Sequence, residues 1–338
     1  MSGGEGAEIR ARAVSDGVAQ ALWITGAGAV EMRETPFEAG PGMVEVETLY
    51  SGISRGTERL VWTGGVPDSE HETMKAPFQE GDFSFPVKYG YAAVGRLAGG
   101  AREGETVFVL HPHQDRFAVP QEAAVPVPDG VPPERAVLAA NMETALNIVW
   151  DAGVSAGDRV TVVGAGVVGA LAGYLCARMP GAEVCLVDVD AAKAGLAEAM
   201  GCAFATPGQA AGERDVVIHA SASAGGLATA IGLAGMEATI VEASWFGTHR
   251  PEVPLGGAFH QRRLRIVGSQ VGQVPPDRRA RWSYRRRLEK ALDLLADPAL
   301  DVLISGETAF DGLAAEYGAI LQDAATLCHR VRYAPVRG

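Results

Sequence analysis

Arg159-Val160-Thr161-Val162-Val163-Gly164-Ala165-Gly166-Val167-Val168-Gly169 runs from a short apolar segment straight into three glycines at GxGxxG spacing. A helical pattern follows over residues 170–179, then a second apolar run over residues 182–187 that ends on Asp188. The order is strand, glycine-rich turn, helix, strand, acid. The first glycine permits a tight turn, the second lets backbone approach a pyrophosphate, and the third allows close helix–strand packing. The helix start adds unpaired N–H groups and the positive end of its dipole. This context points to a dinucleotide site, with Gly164, Gly166, Val167, Val168 and Gly169 as candidate cofactor contacts.

Asp188 indicates which dinucleotide. A carboxylate there accepts hydrogen bonds from the adenine-ribose diol and repels a 2′-phosphate. No Lys or Arg follows until Lys193. NAD(H) is therefore expected, with NADP(H) disfavoured. The alternation continues with a helix at residues 191–200, a strand at 215–219, a helix at 225–233, and strands at 237–242 and 264–267. Ala220, just past the strand at 215–219, is a further candidate contact. These segments predict an α/β fold with a doubly wound Rossmann sheet of about six parallel strands.

Toward the N-terminus the pattern changes. Residues 42–49 alternate apolar and polar, as a half-buried strand does. Residues 50–58 read as a turn opening a short helix. Residues 64–86 form a long loop rich in Gly, Pro and acids, with Phe78, Phe83 and Phe85, and loops of that length tend to be functional or mobile. Short strands separated by Gly and Pro return over residues 88–95, 104–110 and 116–119, which reads as a β-rich domain. Residues 132–151 and 278–295 read as helices. The tail, residues 303–331, reads as strand, helix, strand and is expected to pack back on the N-terminal part. The predicted division is a β-rich domain at 18–145 and 285–338 around a Rossmann domain at 146–284. Residues 1–17 read as a loose tail.

Composition sets limits. A chain of 338 residues suggests two domains. Its net charge of −12 argues against nucleic acid, whose binding needs a basic face. No stretch of about 18 apolar residues is present to span a membrane, and the N-terminus has no signal-peptide apolar region. The four cysteines show no CxxC spacing and read as reduced core residues of a cytoplasmic protein.

Gly52-Ile53-Ser54-Arg55, Gly90-Tyr91, Gly104-Glu105-Thr106-Val107 and the glycine-rich turn together resemble the medium-chain dehydrogenase/reductase superfamily, across nearly the whole chain. That resemblance implies a GroES-like catalytic domain beside the Rossmann domain. Residues 51–58 with Trp62-Thr63-Gly64 look most like the branch containing 2-desacetyl-2-hydroxyethyl bacteriochlorophyllide dehydrogenase, which oxidises a secondary alcohol with a nicotinamide cofactor. Zinc members of the superfamily carry Cys where Ser54 stands, His where Tyr91 stands, and Cys or Glu near Ala140. The four-cysteine lobe is replaced by the stretch at residues 111–119. A catalytic zinc needs about three N, S or carboxylate donors, so no metal is expected. Arg55 matches the superfamily's pyrophosphate-contacting Arg, Thr144 a Thr against the nicotinamide, and Lys193 a Lys near the adenosine ribose. The usual proton-relay Ser or Thr falls on Gly56.

Without zinc, hydride transfer needs another group on the substrate oxygen. Tyr91 with Ser54 is the first candidate, with Lys88 or the nicotinamide ring as a cation that would lower the phenol pKa; the equal alternative is that Tyr91 only fills the volume of the lost metal. His113 and His111 read first as a satisfied pair at a strand end, with a proton shuttle as the other reading. Glu58 and Glu143 are lower-ranked candidate bases that read first as surface carboxylates or caps. Arg262 and Arg263, and the six arginines from Arg278 to Arg287, read first as solvated charge, with recognition of a substrate carboxylate or phosphate as the other reading. The phenylalanine loop either lines an apolar pocket or packs on itself. The expectation is a zinc-independent NAD(H)-dependent oxidoreductase that takes a small-molecule alcohol or ketone. It pairs as a homodimer along residues 264–271. An NAD(P)H-dependent enoyl or quinone reductase and a non-catalytic dinucleotide-binding protein are the alternatives.

Overall fold

The computed structural model describes residues 15–334. Most of the expected loose tail lies outside them, but Ser15 to Gly17 already belong to the first strand. In chain order the elements are β1 (Ser15–Gly26), β2 (Ala29–Ala39), β3 (Met43–Ser54), α1 (Arg55–Trp62), β4 (Glu80–Gly81), β5 (Val87–Lys88), β6 (Ala93–Ala98), β7 (Thr106–Val109), β8 (Arg116–Pro120) and β9 (Val125–Pro126). Next come α2 (Pro133–Ala136), α3 (Ala139–Ala152), β10 (Arg159–Val163), α4 (Val167–Ala177), β11 (Glu183–Val187), α5 (Ala194–Ala199), β12 (Ala203–Ala205), β13 (Arg214–His219), α6 (Ala224–Leu233), β14 (Ala234–Glu242) and β15 (Arg265–Gly268). The chain ends in α7 (Pro276–Arg279), α8 (Tyr284–Leu294), β16 (Ile304–Ala309), α9 (Leu313–Gln322) and β17 (Cys328–Arg332).

A parallel six-stranded sheet runs β12-β11-β10-β13-β14-β15. Its central strands are buried on both faces, which is why Val160 to Val163 and Val184 to Val187 read as continuous apolar runs. One face packs on α3 and α4, the other on α6. A second sheet runs β16-β17-β3-β6-β7-β9, with β8 also paired to β3. The C-terminal strands thus complete the N-terminal β-rich sheet, as expected of the tail. A third, smaller sheet runs β2-β1-β5-β4. The result is the predicted α/β architecture, a doubly wound parallel sheet beside a β-rich unit.

Local departures have physical causes. β3 continues through Ser54 where a turn was expected, because Gly52 serves close packing. A Cβ on Gly52 would lie 3.0 Å from the Val137 carbonyl oxygen. The helix expected at 278–295 is interrupted, since Ser283 caps a new start by accepting from the Arg286 N–H at 3.1 Å. The helix expected at 191–200 opens with a tighter turn over Ala191–Lys193, capped by Asp190. β12 was not foreseen.

Candidate active site

The strand order of the parallel sheet reverses between β10 and β13. The crevice at the carboxyl ends of those strands is where such a sheet takes a ligand. Gly164 sits there with φ +107, and a Cβ on it would come 2.8 Å from the Ser221 nitrogen. A Cβ on Gly169 would lie 1.9 Å from the Gly164 oxygen. Gly166 differs, with nothing within 4 Å of its would-be Cβ, and it begins α4 without a side-chain cap. Two glycines are thus closed off by the protein's own backbone, while the third faces open space beside the unpaired N–H groups of α4. That donor set fits a pyrophosphate. Val167 is buried, Val168 is half-buried, and Ala220 donates its N–H to the Val163 carbonyl at 2.8 Å while remaining half-buried.

Asp188 and Lys193 both grip this turn. Asp188 accepts from the Ala165 N–H at 2.8 Å and, through its other oxygen, from the Asp190 N–H at 3.0 Å. Lys193 Nζ donates to the Ala165 carbonyl at 3.0 Å. A carboxylate offers about four acceptor sites, so Asp188 keeps capacity for a diol. Arg55 opens α1, and its buried Nε has no partner among the described residues. Burial chiefly, and then Arg59, lower its pKa, while Asp323 acts the other way. An orphaned guanidinium N–H is a fitting partner for an anion. Thr144 is the half-buried residue in the otherwise buried run at 139–149 of α3, and its hydroxyl donates to the Ala140 carbonyl at 2.9 Å.

Tyr91 lies in the link between β5 and β6, half-buried, and packs against apolar clusters of both sheets. Its phenol pKa is raised, first by burial and then by the Glu58 carboxylate, while the Ser54 and Thr57 side chains pull the other way. The expected lowering by Lys88 does not occur. Lys88 is buried and donates to Glu80 and, at 2.6 Å, to Gln114 Oε1. Ser54 Oγ accepts from Asn141 Nδ2 at 3.1 Å.

Behind Tyr91 lies a closed polar network. Glu58 is fully buried, which corrects its reading as a surface carboxylate. Its Oε1 accepts from the Ser54 N–H at 2.7 Å, and its Oε2 from Tyr317 at 2.7 Å. His113 Nε2 is 3.0 Å from the same Oε2, and His113 Nδ1 is 2.7 Å from Ser51 Oγ, which in turn meets the Tyr333 hydroxyl at 2.9 Å. His113 is therefore a buried link in this network, enclosed on a further side by Gly90. This placement suits the satisfied histidine of the first reading and not a shuttle to substrate. His111 stacks on Phe117 at 3.6 Å, and burial, with Lys88 beside it, drives its pKa down to about 3. No local signal in the sequence marks Tyr317, Tyr333 or Asn141. They arrive from distant elements.

Glu143 is also buried, paired with Arg287 at 3.0 Å. Arg287 additionally donates to Asn147 Oδ1 and the Val271 carbonyl, each at 2.5 Å, so this one arginine of its run is internal rather than solvated. In the phenylalanine loop, Phe83 is buried beside Tyr89, whereas Phe78 stacks on His111 and stays partly exposed. Among the described residues no three His, Cys, Asp or Glu side chains gather as a metal-holding group, and the four cysteines are free and buried. No described helix is long and apolar enough to cross a membrane.

No family model matches the chain. Over 77 residues it is 38% identical to the 2-desacetyl-2-hydroxyethyl bacteriochlorophyllide A dehydrogenase of Cereibacter sphaeroides, and over 77 residues 35% identical to that of Rhodobacter capsulatus. Each match covers 21% of this chain, and the chain spans 21% of the length of each of these curated relatives. Solved structures align far more widely. L-idonate 5-dehydrogenase from Escherichia coli superposes with a TM-score of 0.77 at 16% identity, covering 94% of this chain and 99% of that one. The 2R,3R-butanediol dehydrogenase from Bacillus subtilis gives 0.72 at 18% identity, covering 93% and 99%. TarJ from S. aureus, in complex with NADPH, gives 0.72 at 15% identity, covering 94% and 99%. At these identities the likeness is one of architecture: the chain has the fold of these dehydrogenases, a Rossmann sheet joined to a β-rich unit.

Proposed function

We propose that the protein is a zinc-independent, NAD(H)-dependent oxidoreductase that interconverts a secondary alcohol and a ketone. The observation that carries this reading is the glycine cradle at the switch point, where Gly166 faces open space beside an uncapped helix start. Gly166, the first turn of α4 and Arg55 would hold the pyrophosphate, and Asp188 the adenine ribose. Thr144 and Ala220 would border the other half. The bound nicotinamide supplies or accepts the hydride. Asp188 supports NAD(H) over NADP(H), because an added 2′-phosphate would meet a carboxylate.

The proton is the task of the chain's own residues. Tyr91 is held protonated at neutral pH by burial and by Glu58. A protonated phenol suits donation to a ketone oxygen as charge builds there. Ser54, fixed by Asn141, is the second hydroxyl at that locus. Zinc independence is supported by chemistry at the positions where zinc relatives carry ligands: Ser54, Tyr91 and Ala140 offer no Cys, His or carboxylate. We further propose a homodimer formed along β15, an edge strand with Ile266 exposed.

The test is a fluorescence titration of metal-stripped protein with NADH and NADPH, followed by turnover of Tyr91→Phe on a panel of ketones. Tight NADH binding with weak NADPH binding is expected. The phenylalanine variant should lose about 100-fold or more in turnover with little change in NADH affinity. Unchanged turnover overturns the role of Tyr91, and NADPH preference moves the enoyl or quinone reductase reading to the front.

A further inference from the structure

The carboxyl ends of β13 and β14 carry a hydrogen-bonded chain separate from the residues so far assigned. Glu242 Oε2 is 2.6 Å from His219 Nδ1, His219 Nε2 is 2.7 Å from Ser221 Oγ, and Ser221 Oγ is 2.9 Å from Ser223 Oγ. Glu242 Oε1 accepts from the Ser244 N–H at 2.8 Å, and Ser244 Oγ accepts from the Ala222 N–H at 3.0 Å. The His219 ring is wholly buried, whereas Ser221 is half-buried. A Cβ on Gly226 would fall 2.0 Å from Ser221 Oγ and 2.8 Å from His219 Nε2, so α6 closes the chain from behind.

The polarity of this chain follows from its carboxylate end. Glu242 as a carboxylate can only accept, so His219 presents Nδ1–H to it, and in the neutral imidazole Nε2 is then the acceptor. The Ser221 hydroxyl then donates to Nε2. Ser223 Oγ accepts from the Gly226 N–H at 3.0 Å, which leaves its own proton for Ser221. With its proton committed to His219 and one lone pair to Ser223, the Ser221 oxygen keeps one further acceptor position and offers no donor.

Its position says what would meet that lone pair. The Ser221 backbone abuts Gly164 on the β13 side of the switch point, and Asp188 stands on the β11 side. A dinucleotide lies across such a crevice. With one ribose at Asp188 and its pyrophosphate at Gly166, the second ribose falls over β13. We propose that Ser221 accepts a hydrogen bond from a hydroxyl of that second ribose, and that Glu242 and His219 are positioning residues that fix the direction of its proton. The proposal rests on the dinucleotide reading above. Such an acceptor favours a neutral hydroxyl over a phosphate oxygen, which brings no proton.

ADP-ribose and ADP separate the two halves of the site, because ADP lacks the second ribose. Calorimetric titration of the full chain with each should show Ser221→Ala weakening ADP-ribose about fivefold, the loss of one hydrogen bond, with ADP nearly unchanged. Glu242→Gln should weaken ADP-ribose as well. The double variant should be no weaker than Ser221→Ala alone, since Glu242 acts through Ser221. Ser221→Cys, which keeps the shape and weakens the acceptor, repeats the comparison if the alanine variant is unstable. Equal shifts for both ligands, or none, overturn the second-ribose contact, and additive losses in the double variant overturn the positioning role. If wild-type protein binds neither ligand, the dinucleotide reading itself falls, and the contact falls with it.

Discussion

At the scale of single residues, buried ionisable groups set the terms of this fold. His111 shows it most simply, stacked between Phe117 and Phe78 with its pKa driven down to about 3 from the ordinary 6.5. As pH falls below 6.5 the unfolded chain takes up the proton first. The stability contributed by the neutral ring is therefore present above that pH and is lost on the way down toward 3. The slope is at most about 1.4 kcal/mol per pH unit. His111→Phe, which preserves the stacking, should lose less stability than wild type between pH 7 and pH 5 in urea unfolding. Identical slopes would show that His111 is not the group responsible. Gly169 makes a steric counterpart. An added Cβ would overlap the Gly164 oxygen at 1.9 Å, so Gly169→Ala should abolish NADH binding even where some folded protein survives. Retained NADH affinity would show that α4 can shift without loss of the cradle.

Among the elements, the clearest tie is between α3 and α8. Arg287 reaches from α8 to Glu143 and Asn147 of α3 and to the Val271 carbonyl, with almost no solvent contact. Burial raises the Glu143 pKa, with Arg287 opposing, so the pair is held together at a desolvation cost. Arg287→Ala leaves a buried carboxylate without its partner and should destabilise the protein by about 3 to 5 kcal/mol. Arg287→Met combined with Glu143→Leu should recover most of that in chemical denaturation, and a double variant as unstable as the single one would count against the account. The same elements mark how far the sequence could be read. The β10–α4–β11 unit was legible because its signals are local: apolar runs, glycine spacing and an acid at the right distance. Arg287 looked like one more arginine in a basic run, and Glu58 like a helix-cap acid. Their burial is decided by Glu143, His113 and Tyr317, which no local pattern brings together. Gly52 misled in the other direction, because a glycine that serves close packing inside a strand looks the same in sequence as one that makes a turn.

For the molecule as a whole, the open edge of the parallel sheet and the return of the C-terminus matter most. Among the described residues β15 pairs with β14 alone, and Ile266 is exposed on this edge strand. If dimers form there, Ile266→Lys should shift the protein toward monomer in size-exclusion chromatography without changing NADH affinity; an unaltered elution position would argue for a different seam. The return of the C-terminus has another consequence, one of timing during synthesis. β3 pairs with β17, and the Tyr333 hydroxyl meets Ser51 across a separation of 282 residues. At ordinary elongation rates, the ribosome takes about 15 to 60 seconds to make that span. Until β17 is made, residues 50–54 of β3 lack their partner on one side, and Glu58 waits nearly as long for Tyr317. The parallel sheet has all its strands once β15 is made, while the β-rich sheet that would carry the chemistry waits for β16 and β17.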